Sequence, residues 1–184
     1  MAAIAGPATL AEMFENARRD TFRLFSLVPD ERDLRRPPSA GFRPILWHRG
    51  HIAAYEAYWL LQKLAGEPSR NPRFDQIFDP INTPREDASN LPALAEIDAY
   101  VNDTRRSALA LIERGDGADP SGFFELVLQH ELQHQETLLY LLHLLEPAAK
   151  RAPSDLLRAD AAYKGVRQAT LDVPGGTFRM GADG

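Results

Sequence analysis

Residues 125–146 read ELVLQHELQHQETLLYLLHLLE, and this strongly helical stretch decides how the chain folds. His130 and His134 lie four residues apart within it, so one helical turn places both imidazoles on the same face, about 40° apart in projection. Two histidines in this arrangement can chelate a metal ion. A catalytic metal usually takes three protein ligands and keeps open positions for substrate. The rest of the chain must therefore supply a third ligand.

The size and composition of the chain narrow the class of protein. At 184 residues the chain is long enough for one domain with a substantial core. Asp and Glu number 26 against 21 Lys and Arg, and the basic residues are dispersed among acidic ones, which disfavours a nucleic-acid-binding surface. The absence of cysteine excludes disulfides, thiolate ligands and a cysteine nucleophile. Neither a leader sequence nor a membrane-spanning run is visible, so we expect a cytoplasmic location.

Apolar spacing, together with the positions of Pro and Gly, predicts four helices of similar length. On the first helix, Arg18, Arg19 and Asp20 are expected to face solvent. The proline-bearing segments between the first three helices are predicted to be connections, the second of them a long loop. An all-α, antiparallel four-helix bundle over residues 1–150 is the economical fold. The predicted helices cover residues 9–29, 44–64, 92–114 and 123–145.

The character of the chain changes after Pro147. Residues 148–168 are mixed and polar, and residues 173–176 read VPGG, a turn signal that leads into a predicted strand at 177–181. A lone strand has nothing to pair with. We therefore expect residues 151–184 to be a linker and the start of a truncated, β-containing second domain.

The third ligand is sought among the remaining histidines and the carboxylates. His143 lies nine residues after His134, about 180° round the helix, and is expected to be structural. His48 and His51 are both on the second predicted helix, three residues apart, so only one of them can aim well at the pair on the fourth helix.

His51 is the preferred ligand because its neighbours Gly50 and Ala53 are small and would let the second and fourth helices approach closely. His48 follows the bulky Trp47 and is expected to lie behind the ligands or at the helix start, with a ligand role as the alternative. Acidic and aromatic residues nearby are given lesser roles. Glu131 and Glu136 are expected behind the ligands or in solvent, and Tyr55 and Tyr58 in packing around His51.

Two segments carry a resemblance to a known family. Residues 47–59, WHRGHIAAYEAYW, and residues 129–137, QHELQHQET, resemble the DinB-like N-terminal domain of the EgtB family. Those enzymes are non-haem iron sulfoxide synthases of ergothioneine-type biosynthesis. Residues 173–181, VPGGTFRMG, resemble the opening of the formylglycine-generating-enzyme-like domain that follows in that family. The resemblance covers nearly the whole chain.

The resemblance implies roles for individual residues. His51, His130 and His134 would hold Fe(II), with open positions for dioxygen, a thiolate and the imidazole of the substrate. Gln133 resembles the residue that helps to bind the trimethylated histidine. Arg85 resembles the first of two arginines that hold the carboxylates of a γ-glutamyl-cysteine-type thiol.

This chain departs from the family pattern in two places. The position of the second arginine is Ala88, which leaves the identity of the thiol open. The family's catalytic tyrosine belongs to the second domain, so the chain is expected to be the iron-binding part of an oxygenase that needs a downstream or separate domain.

Two other functions remain open. The first is a free-standing DinB-like thiol S-transferase that uses the same three histidines around Zn, Ni or Mn, and the start of a β-domain at the tail argues against it. The second is a non-catalytic metal-binding helical bundle that contacts another protein, which the incomplete catalytic set favours.

Overall fold

A computed structural model describes residues 8–82, 85, 91–115, 119, 121–152 and 170–180. Over these residues the secondary structure is helical and contains no strand, which confirms the all-α bundle. The helices are α1 (Leu10–Phe25), α2 (Glu31–Arg35), α3 (Ile45–Glu56), a π-helix (Ala57–Leu64), α4 (Pro72–Ile77), α5 (Leu94–Arg114), α6 (Phe123–Leu144) and a 3₁₀ turn (Pro147–Ala149).

Contacts between side chains give the directions of the four long helices. α3 runs antiparallel to α1 and to α6, whereas α3 and α5 run in the same direction because the long segment between them crosses the length of the bundle. The direction of α1 against α3 follows from the contacts Arg18–Glu56 and Arg49–Phe22. That of α6 against α3 follows from His48–His134 and Trp59–Phe123. That of α5 against α3 follows from Arg49–Asp98 and Arg105–Glu56.

The core consists of two apolar clusters with polar side chains between them. Along α6, Val127 belongs to one cluster and Leu138 to the other, and His130 and His134 lie between these positions. The same holds on α1, where Arg18 lies between Phe14 and Phe25. A polar layer therefore crosses the middle of the bundle.

Short helices form in both segments that were predicted to be connections. α4 begins where the Asn71 side chain accepts a hydrogen bond from the Phe74 amide, and Pro72 occupies the first turn, where its missing N–H costs nothing. Buried Phe74 and Phe78 hold this segment against the bundle. The prediction failed because a helix of six residues is too short to show an apolar period.

The predicted helix over 44–64 changes its hydrogen bonding part-way. From Ala57 onward it is a π-helix, and the Ala65 amide donates to the Leu60 carbonyl at 3.0 Å, five residues back. Gly66, with a φ of +70°, follows its end. The apolar pattern of this stretch does not reveal the change because both helix types bury the same kinds of side chain.

The chain divides into two compact units, Met1–Pro153 and Ser154–Gly184. The second unit is described at residues 170–180, which form neither helix nor strand, so the strand predicted at 177–181 is not formed over 177–180. A strand needs backbone hydrogen bonds to a neighbouring strand, and the described part of the chain contains no other strand that could supply them. Within the described ranges, no helix has both the length and the apolar character needed to cross a membrane.

Candidate metal centre

His51, His130 and His134 meet where α3 packs against α6. One ring nitrogen from each histidine lies within 4.8 Å of the other two. The Nε2 atoms of His51 and His130 are 3.2 Å apart. Two nitrogens bound to one ion at about 2.1 Å can be no more than about 4.2 Å apart, so this pair already satisfies the requirement. The structure thus brings together the three histidines that the sequence selected.

The outer nitrogen of His51 has a fixed partner. Its Nδ1 lies 2.8 Å from the Phe78 carbonyl oxygen, which can only accept, so Nδ1 carries the proton and Nε2 presents a lone pair toward His130. The ring stacks on Trp47 at a centroid distance of 4.4 Å, and the Trp47 indole N–H donates to the Ile77 carbonyl. These contacts hold the imidazole in one orientation.

His130 is held by an aromatic contact from α3. The Tyr55 ring stacks on the His130 ring with centroids 3.6 Å apart and an angle of 9° between the planes. The packing role expected for Tyr55 is therefore confirmed as direct contact with a candidate ligand. Tyr58 is 41% exposed and lines a cavity beside the site instead.

Burial keeps the three imidazoles neutral. Desolvation lowers the pKa of His51 to about 4, although the Phe78 carbonyl opposes the shift. Desolvation and the neighbouring histidines lower the pKa of His130 to about 2, and desolvation with His51 lowers the pKa of His134 to about 3. Neutral imidazoles have the lone pairs that metal ligation requires.

The other two histidines occupy different environments. His48 is buried, and its Nδ1 lies 3.1 Å from Nδ1 of His134, but it is not a member of the group of three. His143 is exposed near the end of α6. This exposure agrees with the prediction that His143 points away from His130 and His134.

The reason given for preferring His51 is wrong in one respect. A Cβ atom added at Gly50 would lie 2.0 to 2.4 Å from the Phe78 ring, so the space beside this glycine is filled by Phe78 and not by α6. Gly50 therefore acts on the site indirectly, because it admits the residue whose carbonyl holds His51.

A buried ionic cluster next to the histidines was missed. Arg18 and Arg105 are each 7% exposed, Glu131 is 2% exposed and Glu56 is fully buried. The prediction that Arg18 faces solvent is therefore wrong. Its guanidinium donates to Glu131 at 2.8 Å and to Glu56 at 2.7 Å, and Arg105 pairs with both carboxylates. One signal was available, since Glu56 interrupts a very apolar helix.

A cavity of about 500 Å³ opens beside the site. His51 and His130 form one part of its wall, and Tyr55, Tyr58 and Trp59 form an aromatic part. Asp75 and Asp79 add carboxylates, so a molecule in the cavity would be in contact with aromatic, acidic and metal-binding groups together.

The two residues predicted to bind substrate are not part of this cavity's wall. Gln133 is exposed on α6, and Arg85 is exposed in the segment after α4. Arg85 lies close enough to Arg43 for its charge to lower the pKa of Arg43, secondary to the effect of burial. Their roles stay predictions.

Comparison with known proteins identifies the family. The profile of the DinB superfamily matches residues 13–138, which include all three candidate ligands and His48. The chain belongs to the DinB superfamily. In this DinB chain, the matched residues run from α1 into α6, so the match spans the bundle that holds the histidines.

The DinB chain is also similar to curated proteins from mycobacteria. It is 34% identical over 181 residues to a hercynine oxygenase of Mycolicibacterium smegmatis, covering 95% of this chain and 41% of that protein. The hercynine oxygenases of Mycolicibacterium thermoresistibile and Mycobacterium tuberculosis are each 32% identical, over 78% and 86% of this chain and 33% and 36% of their own lengths. The chain therefore spans less than half the length of these relatives.

Proposed function

We propose that this chain is the iron-binding portion of an oxygen-dependent sulfoxide synthase that joins a thiol to a histidine derivative in ergothioneine-type biosynthesis. The observation that carries the proposal is the group of three neutral histidines on α3 and α6, in a chain similar to hercynine oxygenases along most of its length. On this proposal the protein is an oxidoreductase with a cytoplasmic location.

The donor set fits Fe(II). Three imidazoles suit Fe, Zn, Cu and Ni, and a facial arrangement of three protein ligands leaves positions open for substrates. His51, His130 and His134 would hold the ion. When bound, Fe(II) would bind dioxygen and pass to it the electrons that carbon–sulfur bond formation and sulfoxidation remove from the substrates.

The chain's own residues would orient the ligands and admit substrates. The Phe78 carbonyl directs Nε2 of His51 inward, and Tyr55 fixes the plane of the His130 ring. The adjacent cavity is large enough for a small molecule that reaches the ion from the side of Tyr58. Substrate would therefore meet the ion within a largely aromatic wall.

Gln133 and Arg85, which are both exposed, are proposed to bind substrates. A glutamine amide can both donate and accept hydrogen bonds, which suits the trimethylated histidine derivative. An arginine suits the carboxylates of the thiol because its guanidinium binds them in bidentate fashion. The catalytic tyrosine is proposed to come from a formylglycine-generating-enzyme-like domain, in the same or a separate polypeptide.

A second candidate is a DinB-like thiol S-transferase, which the completeness of the three-histidine group within the bundle favours. Such an enzyme would use Zn, Ni or Mn and would not consume dioxygen. A non-catalytic metal-binding bundle would neither transfer a thiol nor consume dioxygen. Dioxygen consumption by the chain together with the second domain, in the presence of hercynine and a thiol, therefore separates the sulfoxide synthase from the other two functions. Thiol transfer without dioxygen consumption then separates the S-transferase from the non-catalytic bundle.

Anaerobic metal analysis tests the site itself. We expect the chain to take up stoichiometric Fe(II) and expect His51→Ala, His130→Ala and His134→Ala each to lose it, because two imidazoles hold the ion much more weakly than three. His143→Ala, on the exposed side of α6, should match the unaltered chain. Stoichiometric Fe(II) in all three ligand variants would refute the assignment.

A further inference from the structure

His48 makes a direct contact with one of the candidate ligands. Its Nδ1 lies 3.1 Å from Nδ1 of His134, with the ring centroids 5.2 Å apart and the planes inclined by 53°. His48 is 8% exposed, so this contact is shielded from bulk water. Two ring nitrogens at this distance form a hydrogen bond when one carries the proton and the other presents a lone pair.

The contact decides which nitrogen of His134 is free for a metal. Because Nδ1 of His134 is directed at His48, the nitrogen left to face an ion is Nε2. If Nε2 binds the ion, the proton of the neutral ring is on Nδ1. His51 has the same arrangement, with Nδ1–H donated outward to Phe78 and Nε2 directed inward. Both histidines then offer Nε2 to the centre.

The spacing of His48 and His51 on α3 explains why their side chains make different contacts. His48 and His51 are about 60° apart around the helix, so one can face the centre while the other reaches the outer edge of His134. His51 uses its Nε2 toward His130, and His48 uses its Nδ1 toward His134. One helix thereby supplies both a ligand and the partner of a ligand on α6.

We propose that His48 is a positioning residue that accepts the Nδ1–H of His134, fixes the tautomer of that ligand and directs its Nε2 at the metal. The inference rests on the proposed metal site. Hydrogen bonds of this kind raise the basicity of a ligating imidazole and hold its ring, and their loss typically lowers metal affinity 10- to 100-fold. His48 would act on the ion only through His134.

The tautomers can be read directly by NMR. The chain is labelled with ¹⁵N-histidine, loaded with Zn(II) as a diamagnetic probe, and examined by two-bond ¹H–¹⁵N correlation. We expect His134 to be coordinated through Nε2 with a proton on Nδ1, and His48 to be uncoordinated with its proton on Nε2. Coordination by His48, or coordination of His134 through Nδ1, would overturn the inference while leaving a metal site in place. Failure of the chain to bind either Zn(II) or Fe(II) would instead remove the proposed function, and this inference with it.

A pair of variants tests the role of the acceptor. His48→Asn keeps an acceptor oxygen near the position of Nδ1, whereas His48→Ala removes it. We expect Zn(II) affinity to fall 10- to 100-fold in His48→Ala and to be largely restored in His48→Asn, with His143→Ala unchanged. Equal affinity in His48→Ala and the unaltered chain would overturn the proposal. If His48→Ala fails to fold, the tautomers of the unaltered chain still decide the question.

Discussion

Two buried polar clusters share α3 and α6, and they differ in how the free-energy cost of burying polar groups is reduced. In the ionic cluster, Arg18 and Arg105 face Glu56 and Glu131, so the charges cancel within the protein. In the histidine cluster, formed by His51, His130 and His134, the rings are neutral, and the Nε2 atoms of His51 and His130 are 3.2 Å apart. The charges of the first cluster are paired within the protein, whereas the second offers the nitrogen lone pairs that the proposed metal ion would use.

This difference suggests that the two clusters on α3 and α6 have different roles, one in stability and one in binding. An interior charge that is already paired has nothing to offer a ligand, and removing one member leaves its partner uncompensated. Converging neutral imidazoles bring nitrogen lone pairs close together, which is the arrangement that metal ligation requires. The ionic cluster should therefore govern stability, and the histidine cluster should govern binding.

The largest effect is expected from breaking the ionic cluster. Glu56→Gln leaves two buried guanidinium groups facing one carboxylate, which should lower the free energy of unfolding by about 3–5 kcal/mol in urea denaturation. Glu15→Gln, an exposed change of the same kind on α1, should stay within about 0.5 kcal/mol. Equal stability of the two variants would show that the cluster does not carry net stabilisation.

The histidine cluster was accessible to sequence reasoning because its signal is local. His130 and His134 are one turn apart, and a helix fixes their relative direction whatever it packs against. The long helices were predicted for the same reason, since their apolar stripes repeat within each segment. What remained was the choice of a third ligand among the other histidines and the carboxylates.

The ionic cluster could not be predicted in the same way. Arg18 and Glu131 are 113 residues apart, and an arginine beside Arg19 and Asp20 has the local appearance of a solvated face. The role of Gly50 was missed because it depends on Phe78, which follows a short helix that has no periodic signal. Local patterns identify which helices form, whereas these contacts depend on how separate segments meet.

A smaller effect is expected where the fold supports the histidine cluster. Gly50→Ala places a methyl group against the Phe78 ring, and the displaced ring should cost about 1–3 kcal/mol in urea denaturation. Because the Phe78 carbonyl holds His51, metal affinity should fall as well. Gly175→Ala, whose added methyl meets no atom within 4 Å, should change neither quantity. Loss of stability with unchanged metal affinity would show that Phe78 packs at the site without orienting its ligand.

The smallest effect is expected from the titration of a single histidine in the metal-free chain. An unfolded histidine has a pKa of about 6.5, whereas burial lowers the pKa of His134 to about 3, so between these values the unfolded state binds more protons. Stability is therefore fully present above about pH 6.5 and decreases as the pH falls, by at most about 2 kcal/mol for one such histidine at pH 5.

Urea denaturation at pH 7 and pH 5, with a chelator present, measures this loss of stability. His134→Leu should reduce the pH dependence because it removes one buried titrating group, whereas His143→Leu should leave it unchanged because that side chain is exposed. If His134→Leu keeps the full pH dependence, the imidazole at that position is not held neutral by burial, and the contrast between a charge-balanced cluster and a neutral one fails at that residue.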